Sequence, residues 1–105
     1  MTLEKIELHD ALLKSMAVDY SAKSVTISVD YYESNDVRDR KPALIIFDEV
    51  ESLSQVSNLI ALEKNTFAGH IIQWVPAKGN GTTYIDVVGG CIAINAKRVR
   101  FEPKG

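Results

Sequence analysis

With 105 residues, a formal charge of −2, 46% hydrophobic and 25% charged residues, the chain has the make-up of one folded domain spanning residues 1–105. The absence of a basic surplus argues against nucleic acid as a partner. The single cysteine excludes an internal disulfide, and no apolar run approaches the ~18 residues that would suggest a membrane span, so a cytoplasmic protein without membrane attachment is expected.

The charge is uneven. Residues 1–51 hold eleven acids against six bases, and residues 52–105 hold three against six. Folding that interleaves the two halves would cancel this asymmetry; otherwise it could steer a partner or a second copy of the chain.

Thr2 to Leu8 mixes charged and apolar residues without a clear period and reads as a frayed lead-in. His9-Asp10 follows as a turn in which Asp10 bonds nearby backbone N–H groups. Residues 11–32 then read as a long β-hairpin around Ser21-Ala22-Lys23. In its second strand Val25, Ile27, Val29 and Tyr31 alternate with Ser24, Thr26, Ser28 and Asp30, the pattern of a half-buried strand. In the first, strict alternation puts Leu12, Met16, Val18 and Tyr20 on one face with Lys14, and Leu13 with Ser15, Ala17 and Asp19 on the other.

Glu33 to Pro42 is polar and turn-rich, an expected exposed loop. Ala43 to Val50, with Leu44, Ile45, Ile46 and Phe47 in a run, predicts a central strand. Beyond it, Ser52-x-x-Gln55 could open a helix as a capping box, but continued extension with an irregularity accounts better for Leu53 and Val56. A short helix capped by Asn58 and carrying Leu59, Ile60 and Leu62 on one side is expected to follow, ending near Asn65 or Gly69.

Phe67 to Val75 predicts a strand with His70, Ile72 and Trp74 on one face, closed by Pro76 and the turn Ala77 to Gly81. Thr82 to Val88 and Cys91 to Phe101 form a second hairpin joined at Gly89-Gly90. The apolar parity changes between Ala96 and Val99, which predicts a β-bulge near Lys97. The sum is an all-β, mainly antiparallel domain of about six strands with one short helix, either a small β-sandwich or an open barrel.

Residues with chemical potential are scattered. His9, His70 and Cys91 lack the spacing of a metal site, and no cofactor motif is present. Cys91 reads as a small buried apolar residue, with no neighbouring base or helix N-terminus that would activate a thiol. Asp48, Glu49 and Glu51 read as solvated charge. The binding candidates are His70 and Trp74, the pair Tyr31 and Tyr32, and Arg38 and Arg40 of the polar loop.

The pieces also have a characteristic order: His9-Asp10; Phe47-Asp48-x-Val50; Gly69-x-Ile71-x-x-Trp74; then Tyr84, Gly89-Gly90, Ile92, Ile94 and Ala96. In this order the chain resembles small bacterial β proteins around the immunity protein 50 family and its uncharacterised relatives. The resemblance implies a cytoplasmic protein that neutralises a toxin by binding it, or a relative with no assigned role, and it brings no active site with it. The function expected is therefore that of a non-enzymatic protein-binding domain whose partner is a toxin or a second copy as a homodimer. The alternative is a small-ligand-binding β module with a pocket lined by aromatics such as Trp74 and Tyr84.

Overall fold

A computed structural model describes residues 3, 6, 8–33, 39–57 and 70–104. The short helix expected after Asn58, the start of the predicted strand at Phe67, and Arg38 lie outside the described residues. Among these residues six strands form one antiparallel sheet: β1 (Leu12–Asp19), β2 (Ser24–Tyr31), β3 (Lys41–Ser57), β4 (Ile71–Val75), β5 (Gly81–Val87) and β6 (Gly90–Pro103). Their spatial order is β1-β2-β3-β6-β5-β4, so β3 is central, as its apolar run predicts.

Among the described residues there is one sheet where a sandwich needs two, and it curls toward closure. The two outermost strands meet through a bridge between Leu12 and His70. Beside it, Ile71 N–H donates to Ala11 O at 2.8 Å and Asp10 N–H to Ile71 O at 2.9 Å. Among the described residues this seam is confined to a few positions, which makes the molecule an open barrel. Its concave side carries the core: Phe47, Ile27, Ile45, Ile71, Ile85, Ile92 and Ile94 are all fully buried.

Parity alone assigns the faces of β2, where Val25, Ile27, Val29 and Tyr31 point inward as expected. Elsewhere extra residues reset it. In β1 the register shifts between Leu13 and Ser15, so Leu13 (opposite Val29), Met16 (opposite Ile27) and Val18 (opposite Val25) share the core side. Strict alternation separated Leu13 from Met16, and the bulge at Lys14 reunites them.

The phase change in β6 is present, since Ile92, Ile94 and Ala96 are buried and Val99 and Phe101 also pack on the core. The register does not shift at Lys97, however: Asp48 faces Arg98 and Val50 faces Ala96. β3 changes phase at the same level, through Glu49 in the left-handed region at φ 51°. The two strands turn over together and stay in step. The unmatched residue is on β3, between Val50 and Ser52, which places the bulge there and not in the final strand.

The lead-in is also better fixed than its composition suggests. Leu8 is fully buried in the core, and Ala11 N–H donates to Leu8 O at 2.9 Å, closing a turn over His9-Asp10. Asp10 takes φ 70° at the third position of this turn, a conformation for which Gly and Asn are the usual residues. It acts through its backbone, whereas the carboxylate-to-backbone bond expected of it is made instead by Asp19, whose Oδ1 accepts from Ala22 N–H at 3.0 Å.

Candidate functional site

The most distinctive surface is built where the lead-in runs beside β4. Between Ile71 and Gln73 the β4–β5 register shifts by one, leaving Ile72 as the extra residue. Ile71 pairs with Val87 and Trp74 with Ile85, both partners being buried, so Ile71 and Trp74 share the inner face. Trp74 is thereby separated from His70 and Ile72, with which strict alternation had grouped it. Freed from the ladder, Ile72 is 52% exposed, in keeping with the tendency of edge bulges to re-aim a side chain.

Trp74 reaches the edge of the barrel half-buried, and its indole Nε1–H donates to Ile6 O at 2.9 Å. One turn further on, His9 donates from Nδ1 to Ile72 O at 3.0 Å. Since a carbonyl can only accept, this contact places a proton on Nδ1 and turns Nε2 toward Asp10 Oδ2, 3.7 Å away. Lead-in and strand thus enclose an open groove of about 570 Å³ lined by Ile6, His9, Ile72, Trp74, Val75 and Lys78, among others. Its lining mixes apolar Ile6, Ile72, Trp74 and Val75 with polar His9, Gln73 and Lys78, which suits recognition of a side chain or short segment.

A second cluster braces the turn that presents His9. Arg40 donates from Nε (3.2 Å) and Nη2 (3.0 Å) to Asp10 O, and its guanidinium carbon lies 4.7 Å from the centre of the Tyr32 ring. Arg40 and Tyr32 are therefore brought together as a clasp joining the entry to β3, the end of β2 and the lead-in.

Tyr31 lies on the other side of the sheet, only 8% exposed and edge-on to Phe101 with ring centroids 5.0 Å apart, so it presents little surface. Burial pushes its phenol above the usual value of 10.0, the Glu33 carboxylate adding to the rise and Lys41 opposing it. Lys41 is itself raised, chiefly by its 2.7 Å hydrogen bond to Glu33. His70 is half-buried at the head of β4, where it forms the bridge to Leu12 and its carbonyl accepts from Val88 N–H at 3.1 Å.

Two expectations are overturned by orientation. Cys91 is exposed, because Ile92 and Ile94 take the inward parity of β6. Tyr84 also points outward, opposite Val75 on β4, and does not line the groove at Trp74. The acidic residues near the β3 turnover are partnered at the surface, Glu49 with Arg98 at 2.9 Å and Asp48 with Arg100 at 3.3 Å.

Of the groove residues, only Trp74 was among the binding candidates read from the sequence. A second, smaller cavity of about 360 Å³ opens at the β1–β2 loop, with Val18, Val25, Val50 and Leu53 as its apolar lining and Tyr20 at its lip. Among the described residues no group of three or more His, Cys, Asp or Glu could hold a metal ion, and no helix is long and apolar enough to cross a membrane. In comparisons with known proteins, no family model, curated protein or solved structure matches the chain.

Proposed function

We propose that the chain is a non-enzymatic protein-binding domain that engages its partner along the β4 edge, with Ile72 and the Trp74 groove at the centre of the contact. The observation that carries this reading is the bulge at Ile72, which holds a large aliphatic side chain half in water beside a groove that Trp74 helps to line. An exposed aliphatic residue next to a half-buried tryptophan is the kind of anchor on which protein interfaces concentrate their energy. The resemblance of the Phe47, Trp74 and Gly89-Gly90 motifs to the immunity protein 50 family supports a toxin as the partner and the cytoplasm as the place of action.

The test is co-purification from the native host of the tagged wild type and of Ile72→Glu. The charge at an exposed bulge leaves the sheet intact by circular dichroism. A stoichiometric protein that elutes with wild type and is lost from the variant is the expected result. Retention of the same partner by Ile72→Glu, or chemical turnover of that partner, overturns the reading.

A second reading, a small-ligand-binding β module, is favoured by the cavity at the β1–β2 loop. Its size lies within the usual range for ligand sites, and its lining sets aliphatic Val18, Val25, Val50 and Leu53 beside Asp19, Lys23 and Glu51. Tyr20 fluorescence responding saturably to a small apolar molecule, with Val18→Asp abolishing the response, would move the assignment there.

A further inference from the structure

The turn from Ala77 to Gly81 joins β4 to β5 and is pinned at both ends. Ala77 N–H donates to the buried Thr83 Oγ1 at 3.0 Å, and Gly81 begins the β5–β6 ladder opposite Ala96. Between these anchors Lys78, Gly79 and Asn80 are exposed, and the space around Gly79 is open. Among the described residues no hydrogen bond restrains the Asn80 carboxamide. Gly81 takes φ 154°, a conformation that side chains disfavour, so the fold itself places a glycine after Asn80.

We propose that Asn80 is a site of spontaneous covalent modification, converting through a cyclic imide to an aspartyl or isoaspartyl residue. The Gly81 amide nitrogen, deprotonated by solvent hydroxide, attacks Asn80 Cγ and forms a new N–Cγ bond. The Cγ–Nδ2 bond then breaks, and the departing nitrogen takes a proton from water to leave as ammonia, which restores the hydroxide. Water opens the ring at either carbonyl. Opening at Cγ leaves an ordinary aspartyl residue; opening at the main-chain carbonyl leaves an isoaspartyl residue whose backbone runs through the former side chain. The balance is one water consumed and one ammonia released, with no change in oxidation state.

Three features select this position. Attack needs an uncrowded nitrogen, and Gly81 is the one glycine that follows an asparagine: Asn35, Asn58, Asn65 and Asn95 precede Asp36, Leu59, Thr66 and Ala96. Attack also needs a side chain free to fold back on its own backbone, as the exposed tip allows Asn80 to do. Asn95 is the internal contrast, half-buried within β6 with Nδ2 donating to Thr82 Oγ1 at 3.2 Å. Finally, the Gly81 amide sits at the end of its ladder, where fraying opens it without breaking the sheet. The product adds one negative charge to the formal −2, two residues from Lys78 of the Trp74 groove. The inference does not depend on what that groove binds.

The test is incubation of the full chain at physiological temperature and mildly alkaline pH, followed by anion exchange and peptide mapping by mass spectrometry. Isoaspartate is counted on the peptides with an isoaspartyl methyltransferase. The expected result is an acidic species whose change maps to position 80, with isoaspartyl exceeding aspartyl product. Its rate should exceed that at Asn95 by at least about tenfold, the factor that about one net hydrogen bond of protection brings. Asn80→Gln, whose longer side chain disfavours ring closure, should remove the species. A parallel incubation in urea separates the chemistry from the fold: the rate at position 80 should change by less than about tenfold on unfolding. An intact Asn80, aspartyl product alone, persistence of the acidic species in Asn80→Gln, or a folded rate more than about tenfold below that in urea overturns the inference.

Discussion

Replacing Trp74 by Phe isolates the bond that ties the lead-in to β4. The indole N–H donates to Ile6 O at 2.9 Å, and a phenyl ring keeps most of the packing while removing the donor. A typical intramolecular hydrogen bond contributes about 1 kcal/mol net. The smaller ring gives up on the order of 40 Å² of apolar area, about half of it buried here, or about 0.5 kcal/mol at 25 cal per Å². The expected loss is therefore about 1.5 kcal/mol, read as a lower urea midpoint by far-UV circular dichroism with an unchanged m-value. The loss should also be local. Asp10 N–H, bonded to Ile71 O at 2.9 Å, should exchange with solvent faster in the variant, while the Ile27 and Ile45 amides in the central ladder keep their relative protection. A change below about 0.3 kcal/mol would show that the bond does not hold the lead-in, and one above about 3 kcal/mol would make Trp74 a core aromatic like Phe47.

Three further outcomes follow from the same geometry. Arg40→Lys cannot reproduce the fork of two donors on Asp10 O stacked over Tyr32, and should cost about 1 kcal/mol; a double-mutant cycle with Tyr32→Leu should return a coupling of about 0.5–1 kcal/mol. Tyr31 has its folded-state pKa raised, so it favours the folded chain while neutral, and stability should fall as pH climbs above 10.0 toward the raised value; Lys41, raised from 10.5, adds to the same alkaline loss. Urea titrations between pH 8 and 11 should show a shallower decline in Tyr31→Phe, and an unchanged decline would refute the assignment. Cys91→Ser should change stability by no more than about 0.5 kcal/mol because the thiol is exposed, and a loss above about 1.5 kcal/mol would return Cys91 to the core.

The sequence made the fold class legible wherever a strand keeps strict parity. Val25 through Tyr31 and Ile92 through Ala96 declare their buried faces without reference to anything else, and the hairpin turns near Ala22 and Gly89 set antiparallel neighbours. What was not legible turns on single extra residues. The bulges at Lys14 and Ile72 and the one between Val50 and Ser52 each flip the faces that follow, yet none has a composition that sets it apart from a regular strand position.

The groove is a product of such a flip, so counting by twos assigned Trp74 to the wrong companions, Ile72 among them. Ile6 contributes its backbone carbonyl to a side chain 68 positions away, a contact with no local trace. The β6 phase change could be read, since the apolar positions switch parity between Ala96 and Val99, but the matching turnover at Glu49 depends on a left-handed residue that glutamate does not advertise. The Arg40–Tyr32 clasp was anticipated only as a list of two surface residues; its function as a brace on Asp10 required the barrel seam to bring them together.

The most direct test of the β4-edge account is amide hydrogen exchange on the complex with whichever partner co-purifies, compared with the free chain. Binding at the groove predicts added protection at His9, Ile72, Trp74 and Val75, with the ion-paired convex surface around Asp30 and Arg100 unchanged. Protection centred on that charged surface, with His9 through Val75 exchanging as in the free chain, would contradict it.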